Sequence, residues 1–378
     1  MTTDLQPSPV SSPRFTRFDG VVWAVVGGAL LLTLLLTLWQ RGAGLPTFAE
    51  SENPRILYLG WEEGEDVNQL YVINPDGSGQ KRLTDEPLGV SDFAVSPDGT
   101  VIAYSAMNED GSVDLWQMDA AGKRRKRLLA CPEATCSKPV WAPDARRLVY
   151  ERRSIPVPGA PPGTPRLWWL DTQTSETISV FQDNQWLGLG AKISPNGRFL
   201  SYISPINQEI QVYDLESGDS LVIPSKTGEP GIWSPDSETL LVSEIQFQGE
   251  QFSIHLFSTD LKSAALTNLS GEEMETNDGL PVFSPDGEWL AFGRKKPRAP
   301  MGKQLWLMRP DGSDSRAITE NADIHYNNPT WSPDGAQLAV QGYALAEPEA
   351  SPVVWLVDVE SGELEKLTAP GLQPVWLP

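Results

Sequence analysis

An all-β fold of repeated four-stranded units is predicted by three observations. Near-copies of PVFSPDGEWLAF, residues 281–292, recur along the chain and turn at Pro97, Pro143, Pro195, Pro235, Pro285 and Pro333. The intervals are 46, 52, 40, 50 and 48 residues, the spacing of propeller blades. The 33 Pro and 32 Gly suit a chain that needs several tight turns per unit and few helices. The expectation is a seven-bladed β-propeller of four-stranded antiparallel blades.

Each element of the unit has a physical reason. Within residues 281–292 an apolar run leads into Ser-Pro-Asp-Gly. Pro presets φ for the second turn position, Asp suits the third and Gly tolerates positive φ. The next run sets Trp289 and Ala291 against Leu290 and Phe292, the content of a strand packed on both faces. A third run, 304–314, ends in a second Pro-Asp-Gly turn, and residues 316–319 complete the unit.

The run x-W-S-P-D-G-x-x-[LI]-A-[FY], followed by [IL]-[YW]-x-[MV]-D, resembles the WD40-like (PD40) repeat of TolB-type β-propellers over about residues 55–378. Copies in register span 93–104, 140–150, 232–242, 282–292 and 331–340. A sixth, 192–203, has Asn196 where the turn Asp belongs, and the copy at Pro143 has Ala145 where Gly belongs. Asn also tolerates left-handed geometry, and one missing Gly costs only about 1 kcal/mol. The resemblance implies a protein-interaction role at the cell envelope, without the extra α/β domain of TolB itself.

Along the chain, residues 1–20 lack an apolar period and read as a disordered tail. Val21 to Trp39 is 19 residues without a charge, which as a helix spans roughly 28 Å and suits a bilayer core. Trp23 and Trp39 sit at its ends, where amphipathic rings favour the headgroups. A cleaved signal peptide is the alternative, with Gly42-Ala43-Gly44 as its cleavage site; the expectation is an uncleaved transmembrane anchor. Residues 40–54 form a linker, and 55–378 the propeller. The first blade has no strand before Arg55, whereas 372–378 aligns with 328–333 and stops where a turn begins. The last strand is therefore expected to pair with the first and close the ring.

Arg14 and Arg17 face Arg41 and Arg55 across the span, so the positive-inside rule nearly ties. Cys131 and Cys136 help decide, because their spacing allows a small disulfide loop worth about 2 kcal/mol. Free thiols remain an alternative, as does a zinc site that needs His255 and His325 from other blades. A disulfide places the propeller outside the cytoplasm, on a single-pass cell-membrane anchor.

The chemistry expected from the sequence is mostly negative. Net charge is −21, which argues against nucleic-acid binding, since phosphate contacts need positive surfaces. G-x-S-x-G, H-E-x-x-H and the P-loop motif are absent, and with two histidines a His triad or His-rich metal centre is hard to build. Peptidases of the prolyl oligopeptidase type resemble this fold, but carry a hydrolase domain for which no room is expected here. The repeated Asp98, Asp144, Asp236, Asp286 and Asp334 read as turn formers. Asn108 to Asp114 reads as a solvated hairpin rather than a calcium loop, and the 62–66 acidic run as a solvated loop. The basic run 123–127 reads as an outer strand whose charges discourage edge pairing. Asn268-Leu269-Ser270 is a formal sequon and implies nothing by itself.

Strand direction then sorts the loops. Short uniform turns share one face; the long segments 60–68, 152–165, 182–190, 268–279, 294–303, 320–329 and 342–352 share the other. Recognition usually sits on long loops carried by a rigid scaffold. Trp61, Trp186, His325, Tyr326 and Tyr343 are the candidate ligand contacts there. The functional expectation is a membrane-anchored propeller that binds a protein or cell-envelope polymer and does not catalyse, with no cofactor and no metal. The alternative is a hydrolase or lyase that uses carboxylates, with or without a divalent cation, at the channel mouth.

Overall fold

The computed structural model describes residues 54–157, 159–183, 186–296, 302–347, 349–368 and 370–377. The expected tail, membrane helix and residues 40–53 of the linker lie outside the described residues. Among the described residues, no helix is long and apolar enough to cross a membrane.

All regular elements described are strands; they pair antiparallel in quartets, and single parallel bridges at Val113–Thr135 and Ile254–Asn277 join two pairs of neighbouring quartets. In the first quartet Leu372–Leu377 pairs with Arg55–Gly60, then come Gln69–Ile73 and Lys81–Arg82. The other quartets begin with the strands Val90–Val95, Ala134–Trp141, Leu189–Ile193, Ile232–Trp233, Asn277–Phe283 and Ile324–Trp331. These opening strands contact one another around most of the ring, which makes them the inner strands of a propeller-like fold. Ile56 lies opposite Trp376 and Leu57 opposite Val375, so the last strand supplies the inner partner that the first one lacks.

The core lies between neighbouring quartets. Leu57, Leu70 and Val72 pack with Ile102, Tyr104 and Met118 of the next unit, and Leu241 and Leu256 pack with Leu290 and Phe292. A sheet that buries both faces needs apolar residues on both, which explains the near-continuous apolar runs after each turn.

The turns are built as their composition requires. The Ser284 hydroxyl donates to Asp286 Oδ1 at 2.6 Å and accepts the Trp289 amide at 2.9 Å; Asp286 also accepts the Glu288 amide at 3.0 Å. Ser332 and Asp334 repeat this pattern. These donors, led by the serine hydroxyl, hold the Asp286 and Asp334 carboxyls below the usual range. Gly287 sits at φ 74°, and Ala145 and Ser237 occupy the same turn position at 52° and 65°. The intact hydrogen bonds offset the strain of a side chain there.

Candidate functional site

The inner strands define two rows of side chains around the axis. Three residues before the turn position stand Ala94, Val140, Lys192, Ile232, Val282 and Thr330, with Val375 in the closing strand. Tryptophans of the following quartet lock this row. The Trp141 indole donates to the Ala94 carbonyl at 3.1 Å, Trp233 to Lys192 at 3.3 Å, Trp331 to Val282 at 3.2 Å and Trp376 to Thr330 at 3.1 Å. Two residues nearer the long-loop face, the strands bulge: Lys138, Gly190, Leu280, Asn328 and Gln373 all take positive φ, from 50° to 65°. A bulge turns its amide out of the ladder. Carboxylates of the preceding quartet hold two of these amides: Asp92 accepts Lys138 N–H and Glu151 accepts Gly190 N–H, both at 2.7 Å.

Charge collects beside these bulges. Glu151 is buried and meets Lys138 at 3.7 Å and Arg153 at 3.1 Å. Asp92 receives the Ser105 hydroxyl at 2.6 Å; burial nevertheless raises its pKa above the ordinary carboxylate value. Lys192 is exposed at the axis, in the row that the inner strands form. Burial first, and nearby Lys138 second, lower its pKa.

A second group stands at the long-loop mouth, in a cleft of about 280 Å³ lined by Glu229, Ser243, Asp278, Gly279 and Lys303 among others. Arg294 forks onto Asp278 with contacts of 2.7 and 2.6 Å and stacks 4.6 Å from the Trp306 ring centre. Glu229 accepts the Ser243 hydroxyl at 2.9 Å. The Lys303 stem crosses the bare face of Gly293, where a Cβ would lie 2.3 Å from it, and brings the ammonium toward Gly279. Burial lowers the Lys303 pKa, and the Glu229 and Asp278 charges partly oppose that shift.

The five residues expected to make contacts do not form one site. His325 and Tyr343 come together, with ring centres 6.3 Å apart. His325 Nδ1 accepts the Lys303 amide at 3.2 Å, and burial lowers its pKa. Trp186 is half a ring away, packed 5.2 Å from Phe181 and 6.0 Å from Tyr213. Trp61 lines a separate cleft of about 720 Å³ with Glu62, Glu65 and Arg82. Tyr326 must be withdrawn from the list: it is 0 % exposed and belongs to the core. Strand alternation turns it inward while His325 and Asn327 on either side stay partly exposed.

One constellation imitates a catalytic triad. Ser253 Oγ lies 3.1 Å from His255 Nε2, and Asn268 donates to His255 Nδ1 at 3.2 Å. Asn268 is oriented by the Ser270 amide on its Oδ1 and by its own donation to the Gly271 carbonyl. His255 Nδ1 is therefore the acceptor and Nε2 carries the proton, which faces the Glu273 carbonyl at 3.1 Å. An Nε2–H cannot take the Ser253 proton. Ser253 and His255 are buried, Asn268 is partly exposed, and the three act as a structural network.

Other features are accounted for locally. The basic run is largely tied down: Arg125 pairs with Glu86 at 2.8 Å and lies 4.7 Å from the Trp116 ring centre, and Arg127 pairs with Asp114 at 3.3 Å. Cys131 and Cys136 are bonded, with Cα atoms 6.2 Å apart. Among the described residues, no three His, Cys, Asp or Glu side chains come together as a metal site. The exposed large apolar side chains described, such as Met107, Ile206, Phe247, Phe252 and Leu345, lie on the long-loop face. The exceptions, Ile178 and Val222, sit on outer strands.

No family model matches the chain. It is 27 % identical over 263 residues to an uncharacterized protein of Agrobacterium fabrum, covering 65 % of this chain and 80 % of that protein. It is 24 % identical over 316 residues to dipeptidyl-peptidase 5 of Porphyromonas gingivalis, covering 80 % of this chain and 44 % of the peptidase. Among solved structures it resembles a puromycin hydrolase, with a TM-score of 0.63, 14 % identity and coverage of 84 % and 52 %. It also resembles TolB from Acinetobacter baumannii, with a TM-score of 0.50, 15 % identity and coverage of 86 % and 83 %. The fold is thus a TolB-like propeller, and the chain spans about half the length of these peptidase and hydrolase relatives. The expectation that the chain is not an enzyme is corrected here, because the relatives it matches include proteins named as dipeptidyl-peptidases and a peptidase.

Proposed function

We propose that this chain is a seven-bladed propeller working in a hydrolase of the peptidase class, taking peptide substrates at the long-loop mouth of its channel. The observation that carries the reading is its similarity to dipeptidyl-peptidase 5 over 80 % of its length. The mouth supports it chemically. An extended peptide offers charged ends and apolar side chains. The mouth offers Glu229 and Lys303 at one cleft, with Phe247 and Phe252 exposed on the adjoining hairpin. The test uses the full chain in detergent with peptides of two to eight residues, measuring affinity by calorimetry and cleavage by mass spectrometry. Binding or cleavage should weaken at least fivefold on Glu229→Gln or Lys303→Gln and stay unchanged on Ile178→Ala. A chain that neither binds nor cleaves any peptide overturns the reading.

The place of action belongs to the same proposal. The uncharged stretch from Val21 to Trp39 supports a single-pass membrane anchor, and the Cys131–Cys136 bond supports an extracytoplasmic propeller. Protease added to intact cells should remove the propeller; protection of the whole chain would refute this placement.

A further inference from the structure

The row locked by the tryptophan hydrogen bonds is aliphatic or small at every position but one. Ala94, Val140, Ile232, Val282, Thr330 and Val375 present no charge, and each is half-buried at the axis. Lys192 occupies the equivalent place in its quartet, and its carbonyl takes the Trp233 indole as those of Ala94, Val282 and Thr330 take theirs. Among the described residues, its ammonium has no hydrogen bond or ion pair. Its charged neighbour is Lys138, whose own ammonium is engaged by Glu151 at 3.7 Å. A chain of net charge −21 thus places one exposed lysine, unpaired among the described residues, in an otherwise uncharged row at its axis.

What such a place recognises follows from its composition. A polyanion needs several cations in line, and this row supplies one. A divalent cation is repelled. A single negative group flanked by apolar surface fits both the ammonium and the aliphatic ring. We propose that Lys192 anchors the terminal carboxylate of a peptide lying along the channel, which makes the propeller selective for peptides with a free C-terminus. This rests on the peptide-handling reading above and adds the direction in which the chain enters: carboxylate first, from the long-loop mouth toward the waist.

The test compares one hexapeptide with apolar C-terminal residues as its free acid and as its C-terminal amide, titrated into the full chain. The acid should bind roughly tenfold tighter, the worth of one charge-assisted contact. Lys192→Met, which restores an apolar ring, should abolish that preference without weakening the amide, and Lys192→Arg should retain it. Equal binding of acid and amide to the natural chain overturns the proposal while leaving peptide handling intact. Loss of both forms in Lys192→Met with a native melting curve also overturns it. If inorganic phosphate at the peptide's own concentration removes the preference, Lys192 is a free-anion site and the peptide-terminus assignment fails. Absence of binding by either form sinks the peptide reading itself.

Discussion

The two faces of the ring use the same repeat to opposite ends. On the short-turn face, Ser284 with Asp286 and Ser332 with Asp334 make the same hydrogen bonds quartet after quartet. On the long-loop face the loops themselves differ: Phe247 and Phe252 cap one long hairpin, Ile206 a short one, and the Lys303 stem crosses Gly293 in a third. A position filled alike in every quartet answers a demand of the fold. A position filled once, against the pattern, answers something else. The contrast predicts that short-turn substitutions change stability and spare ligand affinity, whereas long-loop substitutions do the reverse.

The largest effect should come from breaking the ring that holds both faces. Deleting residues 372–378 removes the buried Trp376 and Leu377 and the partner of the Arg55–Gly60 strand. Each large core truncation costs about 3–5 kcal/mol against a total stability of roughly 5–15 kcal/mol. The truncated chain should melt far below the natural one or aggregate through its open edges. Thermal melting with light scattering checks this, and an unchanged melting temperature would disprove closure.

Tyr326 comes next, because it sits on the long-loop side in sequence but belongs to the core in space. Tyr326→Ala should cost about 3–5 kcal/mol with no specific effect on peptide affinity. Its hydroxyl is buried and has no partner among the described residues, and burial pushes its pKa up to about 12. Tyr326→Phe should therefore stabilise the fold, by about 1 kcal/mol, since an unsatisfied buried group is lost. Denaturant unfolding of the pair distinguishes this from a surface role, in which Phe would be neutral and Ala cheap.

Tyr326 also shows how far the sequence could be read. The turns, the strand order and the terminal closure were legible because they rest on local composition repeated many times. The side-chain orientation of Tyr326 depends on the register of its strand, and that strand carries a bulge between Asn327 and Thr330 which shifts the alternation. The cleft at Lys303 depends on what Gly293 leaves empty, a contact between the second strand of its quartet and a loop that local pattern does not encode. Lys192 was legible in principle. Aligned on the turns, the third residue before the proline is small or aliphatic in every other copy, and the departure stands in plain view. Alignment for the fold averages such departures away; alignment for function has to keep them.

A smaller effect is expected on the short-turn face. Asp286→Ala removes the acceptor of the Glu288 amide and the nearer acceptor of the Ser284 hydroxyl, whose other is the Trp289 carbonyl at 3.2 Å, and each net hydrogen bond is worth about 1 kcal/mol. The loss should total about 1–2 kcal/mol in denaturant unfolding, with peptide affinity unchanged. A fall in affinity beyond the fall in folded fraction would erase the distinction between the faces.

The smallest change in stability belongs to the long-loop aromatics. Trp186 is 38 % exposed and rests on Phe181 and Tyr213, so Trp186→Ala loses ring contacts worth about 1 kcal/mol. Trp61 is partly exposed and lines the acidic cleft with Glu62 and Glu65, so Trp61→Ala should cost less, within about 0.5 kcal/mol as for ordinary surface positions. If peptides cross the long-loop face on their way to the channel, both substitutions should weaken binding by at least ~1 kcal/mol, since rigid aromatics contribute most where water is displaced. The decisive quantity is the ratio of the two losses. For Asp286→Ala the stability loss should exceed the affinity loss, and for Trp61→Ala the order should reverse. Ile178→Ala, on an exposed outer strand away from both faces, should move neither. If Trp61→Ala leaves affinity untouched while Trp186→Ala lowers it, the route over the face narrows to the Trp186 side, far from the acidic cleft. If neither does, the aromatics only pack their own loops, and the channel charges alone must account for recognition.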